Sequence, residues 1–397
     1  MNGKNRPLVV AVAILTASVA LTGGLAVYLT VARAGGAVGR GASQVAGTAA
    51  ARAEPRIAFL SDEEGGLAVY VMDVDGSNVR RVSEPGLAFS LYLSWSPDGQ
   101  RVAYVGSTGD PFQEQVTDSG VWVSQANGAE HVADESDVPI RYIRASATIT
   151  TVLGIAPAWS PDGTRLAFAA RGERGGQDDP TSTLYVVRAD GSGIERSVLL
   201  PWTVYDLAWS PTGETWLFVG GSLDTEMSVH VLSSQGDGGE EMVELFRGAL
   251  AADWSPDGSQ VVVGDYQSRT LLVLERDQEP RQVAQLPLQP VEVAWSPDGT
   301  RIAVAVASTI RQGYATSLYV VTLQTGELTT VVREEGWLGW PAWSPDGQRL
   351  LFTMGPLRQR TGTQLPYANL WTYELASGTL EQLTVREGFA GLGTWSP

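Results

Sequence analysis

Hydrophobic and polar positions alternate in short stretches over most of the chain, and these stretches come in pairs. RVAYV at Arg101 and RIAVA at Arg301 each follow a turn-like segment, and VWVSQ at Val121 and LYVVT at Leu318 supply their partners. Short alternating runs with β-branched and aromatic residues are typical of half-buried strands. The pattern therefore predicts an all-β protein built from antiparallel hairpins.

The segment before each pair of strands carries a fixed signature, Trp-Ser-Pro. The signature recurs at intervals of 41 to 64 residues, beginning at Trp95, Trp159, Trp209, Trp254, Trp295, Trp343 and Trp395. A motif repeated about every 40 to 50 residues indicates a repeat array or a propeller. Hairpin turns such as Asp190-Gly191 follow the paired strands and lead into further strands. Each interval therefore predicts one four-stranded antiparallel blade.

The two ends of the repeat region complement each other. The segment from Arg56 to Val82 has the inner parts of a blade without an opening Trp-Ser-Pro, whereas Trp395 opens a blade that has no strands after it. Joining the two fragments gives a seventh blade and removes the strand edges that an open array exposes. We therefore predict a seven-bladed β-propeller of four-stranded antiparallel blades over residues 56–397, with the ring closed by both termini.

The signature itself is suited to a corner between two strands. In Ser-Pro-Asp-Gly, Pro fits the second position of a type I turn, Asp tolerates the third, and Gly takes the left-handed conformation after it. The preceding Trp can bury roughly 150–250 Å² between neighbouring blades. Thr212 replaces the Asp in one copy. The interpretation of all these residues is structural.

A long apolar segment precedes the repeats. Leu8 to Val31 is almost wholly apolar and follows Lys4 and Arg6. As a helix it would be about 36 Å long, enough to cross the hydrocarbon layer of a membrane. We predict a short cytoplasmic terminus at residues 1–7 and one N-terminal transmembrane helix, a signal anchor, at residues 8–32. The alternative is a cleaved secretory signal.

The residues between this segment and the repeats are rich in Gly and Ala and have no apolar period. We interpret residues 33–55 as a flexible linker. Whether the apolar segment is kept as a membrane anchor or cleaved as a secretory signal, residues 56–397 leave the cytoplasm. The predicted location is the cell membrane, single-pass, with the propeller on the extracytoplasmic side.

Charge and composition exclude several classes of function. All 44 acidic residues lie after residue 53, whereas the whole chain has 27 basic residues and a net charge of −17. Such a surface repels phosphate backbones, so nucleic acid is not an expected partner. The chain has no Cys and two His, which leaves no thiolate metal site and little material for a His-based centre. We predict no cofactor, with Ca²⁺ as the one exception considered below.

The Trp-Ser-Pro-Asp-Gly signature, the RVAYV-like strands after it and the Asp-Gly-Ser hairpin resemble the TolB-type propeller repeat, also called the PD40 or WD-repeat-like repeat. The resemblance covers Arg56 to Pro397. It implies an envelope or periplasmic protein that binds other proteins, and relatives serve as propeller domains of prolyl-oligopeptidase-like peptidases. Those peptidases add a hydrolase domain with a Gly-x-Ser-x-Gly motif, which does not occur here. TolB has six blades and a separate amino-terminal domain, so its own partners are not carried over.

Three acidic residues precede consecutive signatures and are candidate metal ligands. Strand alternation places Asp206, Asp253 and Glu292 on one face, where they would bind a cation such as Ca²⁺. The alternative is that they meet Arg side chains or channel water. A second candidate is the aromatic group Tyr314, Trp337 and Trp340, either a stacking surface for sugars or peptides or part of the core.

Two segments are longer than a blade connection needs to be, Gly172 to Asp179 and Glu135 to Leu153. Insertions in repeat proteins often gather on a binding face, although they are also simply tolerated.

Three functional hypotheses follow. The first is a non-catalytic, monomeric, membrane-anchored scaffold that binds a protein or peptide of the cell envelope. The second is an enzyme, for instance a hydrolase or lactonase with a cation at the central channel. The third is a ligand-sensing domain.

Overall fold

The computed structural model describes residues 54–63, 66–83, 88–108, 118–126, 140–142, 157–171, 181–221, 227–234, 240–307, 315–356 and 367–397. Within these ranges the regular structure consists of 27 β-strands. The predicted transmembrane helix lies outside the described residues, as do all of residues 172–179 and most of residues 135–153. No helix in the described part of the chain has the length and apolar character needed to cross a membrane.

The strands of the first half of the chain are β1 (Arg56–Ser61), β2 (Ala68–Asp73), β3 (Arg80–Arg81), β4 (Ala88–Trp95), β5 (Arg101–Thr108), β6 (Asp118–Gln125), β7 (Ile140–Tyr142), β8 (Ala158–Trp159), β9 (Arg165–Arg171), β10 (Ser182–Arg188), β11 (Ile194–Leu200), β12 (Thr203–Trp209) and β13 (Thr215–Gly221). The remaining strands are β14 (Ser228–Ser234), β15 (Glu240–Arg247), β16 (Ala249–Trp254), β17 (Gln260–Asp265), β18 (Thr270–Glu275), β19 (Arg281–Gln285), β20 (Gln289–Trp295), β21 (Arg301–Ala307), β22 (Ala315–Thr322), β23 (Leu328–Trp343), β24 (Arg349–Gly355), β25 (Asn369–Glu374), β26 (Thr379–Gln382) and β27 (Ala390–Trp395).

The strands form seven antiparallel four-stranded blades, as the spacing of the signature predicts. Blades one to four are β4–β7, β8–β11, β12–β15 and β16–β19. Blades five and six are joined, since β23 serves both, and blade seven has the strand order β27, β1, β2, β3. The strand that ends in the signature Trp is the inner strand of each blade. The protein is therefore an all-β, seven-bladed propeller.

Strand β23 differs from the expected pattern of separate strands. Its first half pairs with β22 as the outer strand of blade five, and its second half, from Trp337 to Trp343, pairs with β24 as the inner strand of blade six. The sequence predicts a strand at Glu327 and a new blade before Trp343. It gives no turn residue except Gly336 between them, so the backbone continues extended.

The Trp-Ser-Pro corners are held by hydrogen bonds that repeat around the ring. In blade two, the Ser160 amide donates to the carbonyl of Arg165, and the Arg165 amide donates back to Ser160 Oγ at 2.9 Å. Ser160 Oγ–H donates to Asp162, which also accepts from the Thr164 amide. Partial burial raises the pKa of Asp162, but these hydrogen bonds outweigh it and hold the pKa at about 2. In blade three the Thr212 hydroxyl lies 2.9 Å from Ser210 Oγ and takes the place of the carboxylate.

Each signature Trp is buried between its own blade and the preceding one, with 3 to 9 % of its surface exposed. Four indole Nε1 groups donate across this boundary to the carbonyl that precedes the Trp of the blade before: Trp95 to Thr394, Trp159 to Ser94, Trp343 to Ala294 and Trp395 to Ala342. The apolar clusters likewise combine residues of neighbouring blades, for example Val123 of blade one with Leu166 of blade two. The core therefore lies between the blades.

Arginine side chains connect neighbouring corners. The first residue of the second strand is Arg in five blades, and its guanidinium carbon lies over the signature indole of the next blade. The pairs and distances to the ring centroid are Arg56–Trp95 (5.5 Å), Arg101–Trp159 (4.6 Å), Arg165–Trp209 (5.2 Å), Arg301–Trp343 (5.2 Å) and Arg349–Trp395 (5.0 Å). Thr215 and Gln260 occupy this position in blades three and four. The signal for this role in the sequence is the recurrence of Arg at one place in the repeat, which the predictions above do not use.

Both ends of the described chain lie in blade seven. Strand β27 pairs with β1, and it also contacts β4 of blade one. The Ser396 amide donates to the Arg56 carbonyl at 2.7 Å, and the Arg56 amide donates to Ser396 Oγ at 2.8 Å. These are the two hydrogen bonds that Ser160 and Arg165 make within a continuous turn. The seventh corner is thus built from residues 340 positions apart.

The two ends of the ring differ. We call the end with the seven Trp-Ser-Pro corners the turn face. It also carries the hairpins between third and fourth strands, since the Ala189 amide, for example, donates to the carbonyl of Thr164. We call the opposite end, where second and third strands are connected, the loop face. Connections there range from residues 266–269 to residues 356–368. Arg56 enters at a corner, so the chain preceding it approaches on the turn face.

Candidate functional site

The inner strands form the wall of the central channel. These are β4, β8, β12, β16, β20, the second half of β23, and β27, and each is hydrogen-bonded within its blade on one side only. Most carry a register shift a few residues before the signature Trp, as between Pro290 and Glu292 or between Gly339 and Ala342. Such bulges turn side chains and amides out of the regular ladder. The sequence-predicted acids lie close to these irregular positions.

All three predicted acids are buried, and each accepts a hydrogen bond from a backbone amide. Asp206 Oδ1 accepts from the Leu207 amide at 2.9 Å. Asp253 bridges two blades, because Oδ1 accepts from the Trp254 amide at 2.8 Å and Oδ2 from the Trp295 amide at 2.9 Å. Asp253 therefore satisfies donors at the channel edge of blades four and five.

Glu292 makes a similar connection between blades five and six. Its Oε2 accepts from the Trp340 amide at 2.5 Å, and 6 % of the residue is exposed. Burial raises the pKa of Glu292 to about 8, although the Trp340 hydrogen bond acts in the opposite direction. At neutral pH this carboxyl group is therefore mainly protonated.

The backbone opposite Glu292 is adapted to it. A Cβ at Gly339 would lie 2.9 Å from Glu292 Oε1, so the glycine lets the carboxyl group lie against the backbone in its present position. The next residue, Trp340, precedes Pro341 and has a φ of 58°, which is unusual for a bulky side chain. The Trp340 amide is thereby aimed at the carboxyl group instead of at β24. The sequence marks Trp340 and Glu292 as candidates, but it contains no signal that joins the two residues.

The structure divides the predicted aromatic group. Trp337 is a core residue with 1 % exposure, and its ring meets that of Trp340 edge-on at 5.7 Å. Trp340 is half-buried against the core of blades seven and one. Tyr314 lies outside the described residues. For Trp337 the core alternative is therefore correct, whereas Trp340 keeps part of its surface free.

The predicted acids do not assemble into a metal centre. The part of the chain that the structure describes contains no group of three or more His, Asp or Glu side chains that could hold a metal ion. The three acids belong to three different blades, and amides of the wall take up Asp206 Oδ1, both oxygens of Asp253 and Glu292 Oε2.

His230 is a second buried group whose pKa is shifted. Its ring stacks on Trp202, with centroids 4.1 Å apart and planes inclined by 20°. Burial lowers the pKa of His230, with Glu244 raising it and Arg247 lowering it further. His230 belongs to β14, the third strand of blade three, and so lies away from the channel wall.

Comparisons with known proteins agree with this architecture. The family model described as eukaryotic translation initiation factor eIF2A matches residues 150–312. The "Uncharacterized peptidase YuxL" of Bacillus subtilis (strain 168) is 27% identical over 214 residues, which are 52% of this chain and 30% of that protein. The "Protein TolB homolog" of Chlorobium luteolum (strain DSM 273 / BCRC 81028 / 2530) is 29% identical over 136 residues, 29% of this chain and 31% of that protein.

The matched regions thus span about a third of the length of these relatives.

Among solved structures, "Oligogalacturonate lyase in complex with manganese" matches with a TM-score of 0.59 at 15% sequence identity. The match covers 80% of this chain and 85% of the chain in that structure. At that identity the likeness concerns the fold. With the seven blades described above, these matches support a TolB-like β-propeller, as the repeat signature predicts.

Proposed function

We propose that this chain is a non-catalytic, membrane-anchored scaffold that binds a protein or peptide of the cell envelope through its loop face. The observation that carries the proposal is the contrast between the two faces. The turn face repeats one tight corner, whereas the connections of the loop face differ in length from blade to blade. Binding residues are found preferentially on variable connections held by a rigid scaffold.

The entry point of the chain supports the orientation. Residues 54 and 55 precede Arg56 at a corner, so a tether formed by residues 33–55 joins the turn face. If residues 8–32 span the membrane, the turn face lies towards the membrane and the loop face points away from it. A partner in the extracytoplasmic space then meets the variable connections first.

The closure of the ring by both ends of the chain belongs to the same proposal. The pairing of β27 with β1 and the shared corner at Arg56 and Ser396 support it. A closed ring has no open blade edge and holds its loops at fixed distances, which is what a scaffold needs.

The comparisons support the class of function. The name of the Chlorobium relative is that of a TolB homolog, and we propose a similar protein-binding role here. The Bacillus relative is called a peptidase, so the competing proposal is a propeller that serves a peptidase. Cleavage of a fluorogenic peptide library by the purified full chain would favour that alternative.

Site-specific photo-crosslinking in native membranes tests the proposed binding face. Tyr367 is 40% exposed and lies just before β25, the third strand of blade six, at the loop face, and the exposed Gln348 lies in the corner of the same blade. A photoreactive residue at position 367 should capture a discrete protein, whereas one at 348 should not. Capture at 348 alone, or at neither position, would contradict the proposal.

A further inference from the structure

The junctions between neighbouring blades differ in their polar contacts. Where both contacts of a signature Trp are made, its indole Nε1 donates to the preceding blade and an Arg of that blade covers its ring. Trp95, Trp159, Trp343 and Trp395 have both contacts. We call these four consecutive junctions, from blade five round to blade two, the bonded junctions. At the junction of blades two and three the Arg contact is made, but the indole donor has no partner among the described residues.

The junctions on both sides of blade four have neither contact. Nε1 of Trp254 and Nε1 of Trp295 are buried and have no hydrogen-bond partner in the part of the chain that the structure describes. Thr215 and Gln260 stand where the other blades have the Arg that would cover these two rings. Both junctions therefore rely on the apolar cluster that spans blades three to five.

The junction between blades three and four is the weaker of these two. Blades four and five are also connected beside the channel, where Asp253 Oδ2 accepts the Trp295 amide at 2.9 Å. The same position of blade three is occupied by Ala208, whose side chain has no acceptor. Trp254 is also the most exposed of the seven signature residues, with 9 % of its surface exposed against 3 to 7 % for the others.

The buried donor of Trp254 has an acceptor that it does not reach. In the bonded junctions the acceptor is the carbonyl of the residue before the preceding signature Trp, as when Trp343 donates to Ala294. The equivalent residue for Trp254 is Ala208. An N–H group without a partner in the interior is destabilising, so a movement that brings the indole to this carbonyl recovers a hydrogen bond. Apolar packing has no preferred direction and is compatible with a small sliding movement.

We propose that the boundary between blades three and four is a shear junction, at which blade four moves between two positions. In the position described above the Trp254 indole has no acceptor, and in the other it donates to the Ala208 carbonyl as the indoles of the bonded junctions do. The loop-face connection of blade four, residues 266–269, moves with it relative to blade three. The ring therefore yields across from blade seven and not at the corner where its two ends meet. This inference does not depend on the proposed function.

NMR of the indole N–H groups tests the proposal on the full chain with 15N-labelled tryptophan. Relaxation dispersion detects exchange between two positions on the microsecond-to-millisecond timescale. The indole signal of Trp254 should show dispersion, whereas that of the hydrogen-bonded Trp95 should not. The Trp254 indole proton should also exchange with solvent roughly tenfold faster than that of Trp95, because local opening exposes it. Trp254→Phe and Trp95→Phe assign the two signals.

Two arginine variants make the result specific. Thr215→Arg supplies the missing guanidinium group over Trp254, favours one position of blade four and should slow the exchange of the Trp254 indole proton about fivefold. Gln260→Arg adds the same charge at the junction of blades four and five, and it should leave the dispersion and the exchange of Trp254 unchanged.

Three results would overturn the proposal. They are a flat dispersion profile for Trp254, equal dispersion at Trp254 and Trp95, and a Thr215→Arg variant whose Trp254 signal behaves like that of Gln260→Arg. If Thr215→Arg does not fold, the comparison of the two indoles in the unmodified chain decides.

Discussion

At the scale of single residues, the five arginines that follow the corners are the main addition to what the repeat signature suggests. Each covers an indole of the next blade, and Arg101 also donates to the Gly163 carbonyl at 3.2 Å. A guanidinium group fits this position because it stacks flat on the ring while its N–H groups stay free to donate. These contacts connect neighbouring blades with one side chain each.

Replacement of Arg101 should measure one such contact. Arg101→Ala loses the stacking on Trp159 and the hydrogen bond to Gly163, so we expect a loss of about 1–2 kcal/mol in the free energy of unfolding. Urea denaturation is the measurement. Arg276→Ala, whose side chain is 87% exposed, serves as the control and should change little. A similar small change in both variants would show that the contact contributes nothing.

Glu292 predicts a pH dependence of stability. Its pKa is about 8 in the folded protein and near 4.5 in the unfolded chain, so the folded state holds the proton more tightly. The stability from this group is complete below about pH 4.5 and is lost as the pH rises to 8, by at most about 1.4 kcal/mol per unit. Glu292→Gln should remove that slope in urea denaturation between pH 5 and pH 9. An unchanged slope would contradict the assignment.

The acids also show what the sequence can and cannot predict. Alternation along a strand identifies Asp206, Asp253 and Glu292 as inner-strand residues, since a signature Trp follows each of them closely. Their partners include backbone amides of the same and of the next blade, one of them turned towards Glu292 by the left-handed backbone at Trp340. Contacts between blades depend on how the blades pack, so a single sequence does not reveal them. The same holds for the burial that raises the pKa of Glu292.

At the scale of elements, the corners and the pairs of strands were predictable because each depends on local residues. Strand β23 was not, since its continuity across two blades depends on the absence of a turn at Gly336.

The junctions on either side of blade four also differ from the rest. They lack the Arg, and the largest apolar cluster, with Val262 and Val304 among its members, spans blades three to five. Apolar packing replaces the arginine contacts there.

An added arginine should stabilise one of these junctions. Gln260 begins the second strand of blade four, and its side-chain amide donates to Glu275 in the same blade. Gln260→Arg would place a guanidinium group over Trp295, with an expected gain of about 0.5–1 kcal/mol. Thermal and urea unfolding measure it. Gln282→Arg adds the same charge at an exposed site of β19, and an equal gain there would attribute the effect to net charge alone.

At the scale of the whole molecule, blade seven decides whether the ring is mechanically continuous. Ser344 and Ser396 make the same two hydrogen bonds to Arg349 and Arg56, but only Ser344 is tied to its partner by an unbroken turn. The two serines therefore match in the hydrogen bonds to their Arg, although Ser344 Oγ also donates to Asp346.

Serine-to-alanine replacement compares the two corners. Each variant loses the hydrogen bond from the Arg amide, which is worth about 0.5–1.5 kcal/mol, and Ser344→Ala also loses the bond to Asp346. Ser396→Ala should nevertheless lower the melting temperature more than Ser344→Ala, because no covalent turn keeps its corner together. Equal shifts would mean that the pairing of β27 with β1 does not depend on this corner.

The predicted linker has its own test. Limited trypsin digestion of the full chain should cleave at Arg40 or Arg52 and release a body that begins close to Arg56, because Gly- and Ala-rich segments bury little. Mass spectrometry identifies the new terminus. First cleavage within the blades, with residues 33–55 intact, would contradict the interpretation as a linker.

The corner shared by Arg56 and Ser396 also sets an order of events. Strand β1 is among the first segments of the propeller to leave the ribosome, yet its partner β27 follows more than 300 residues later. If the chain is exported as it is made, six blades can assemble on the far side of the membrane while the seventh is incomplete and strand β1 has one unpaired edge. A chaperone that covers strand edges would act during that interval.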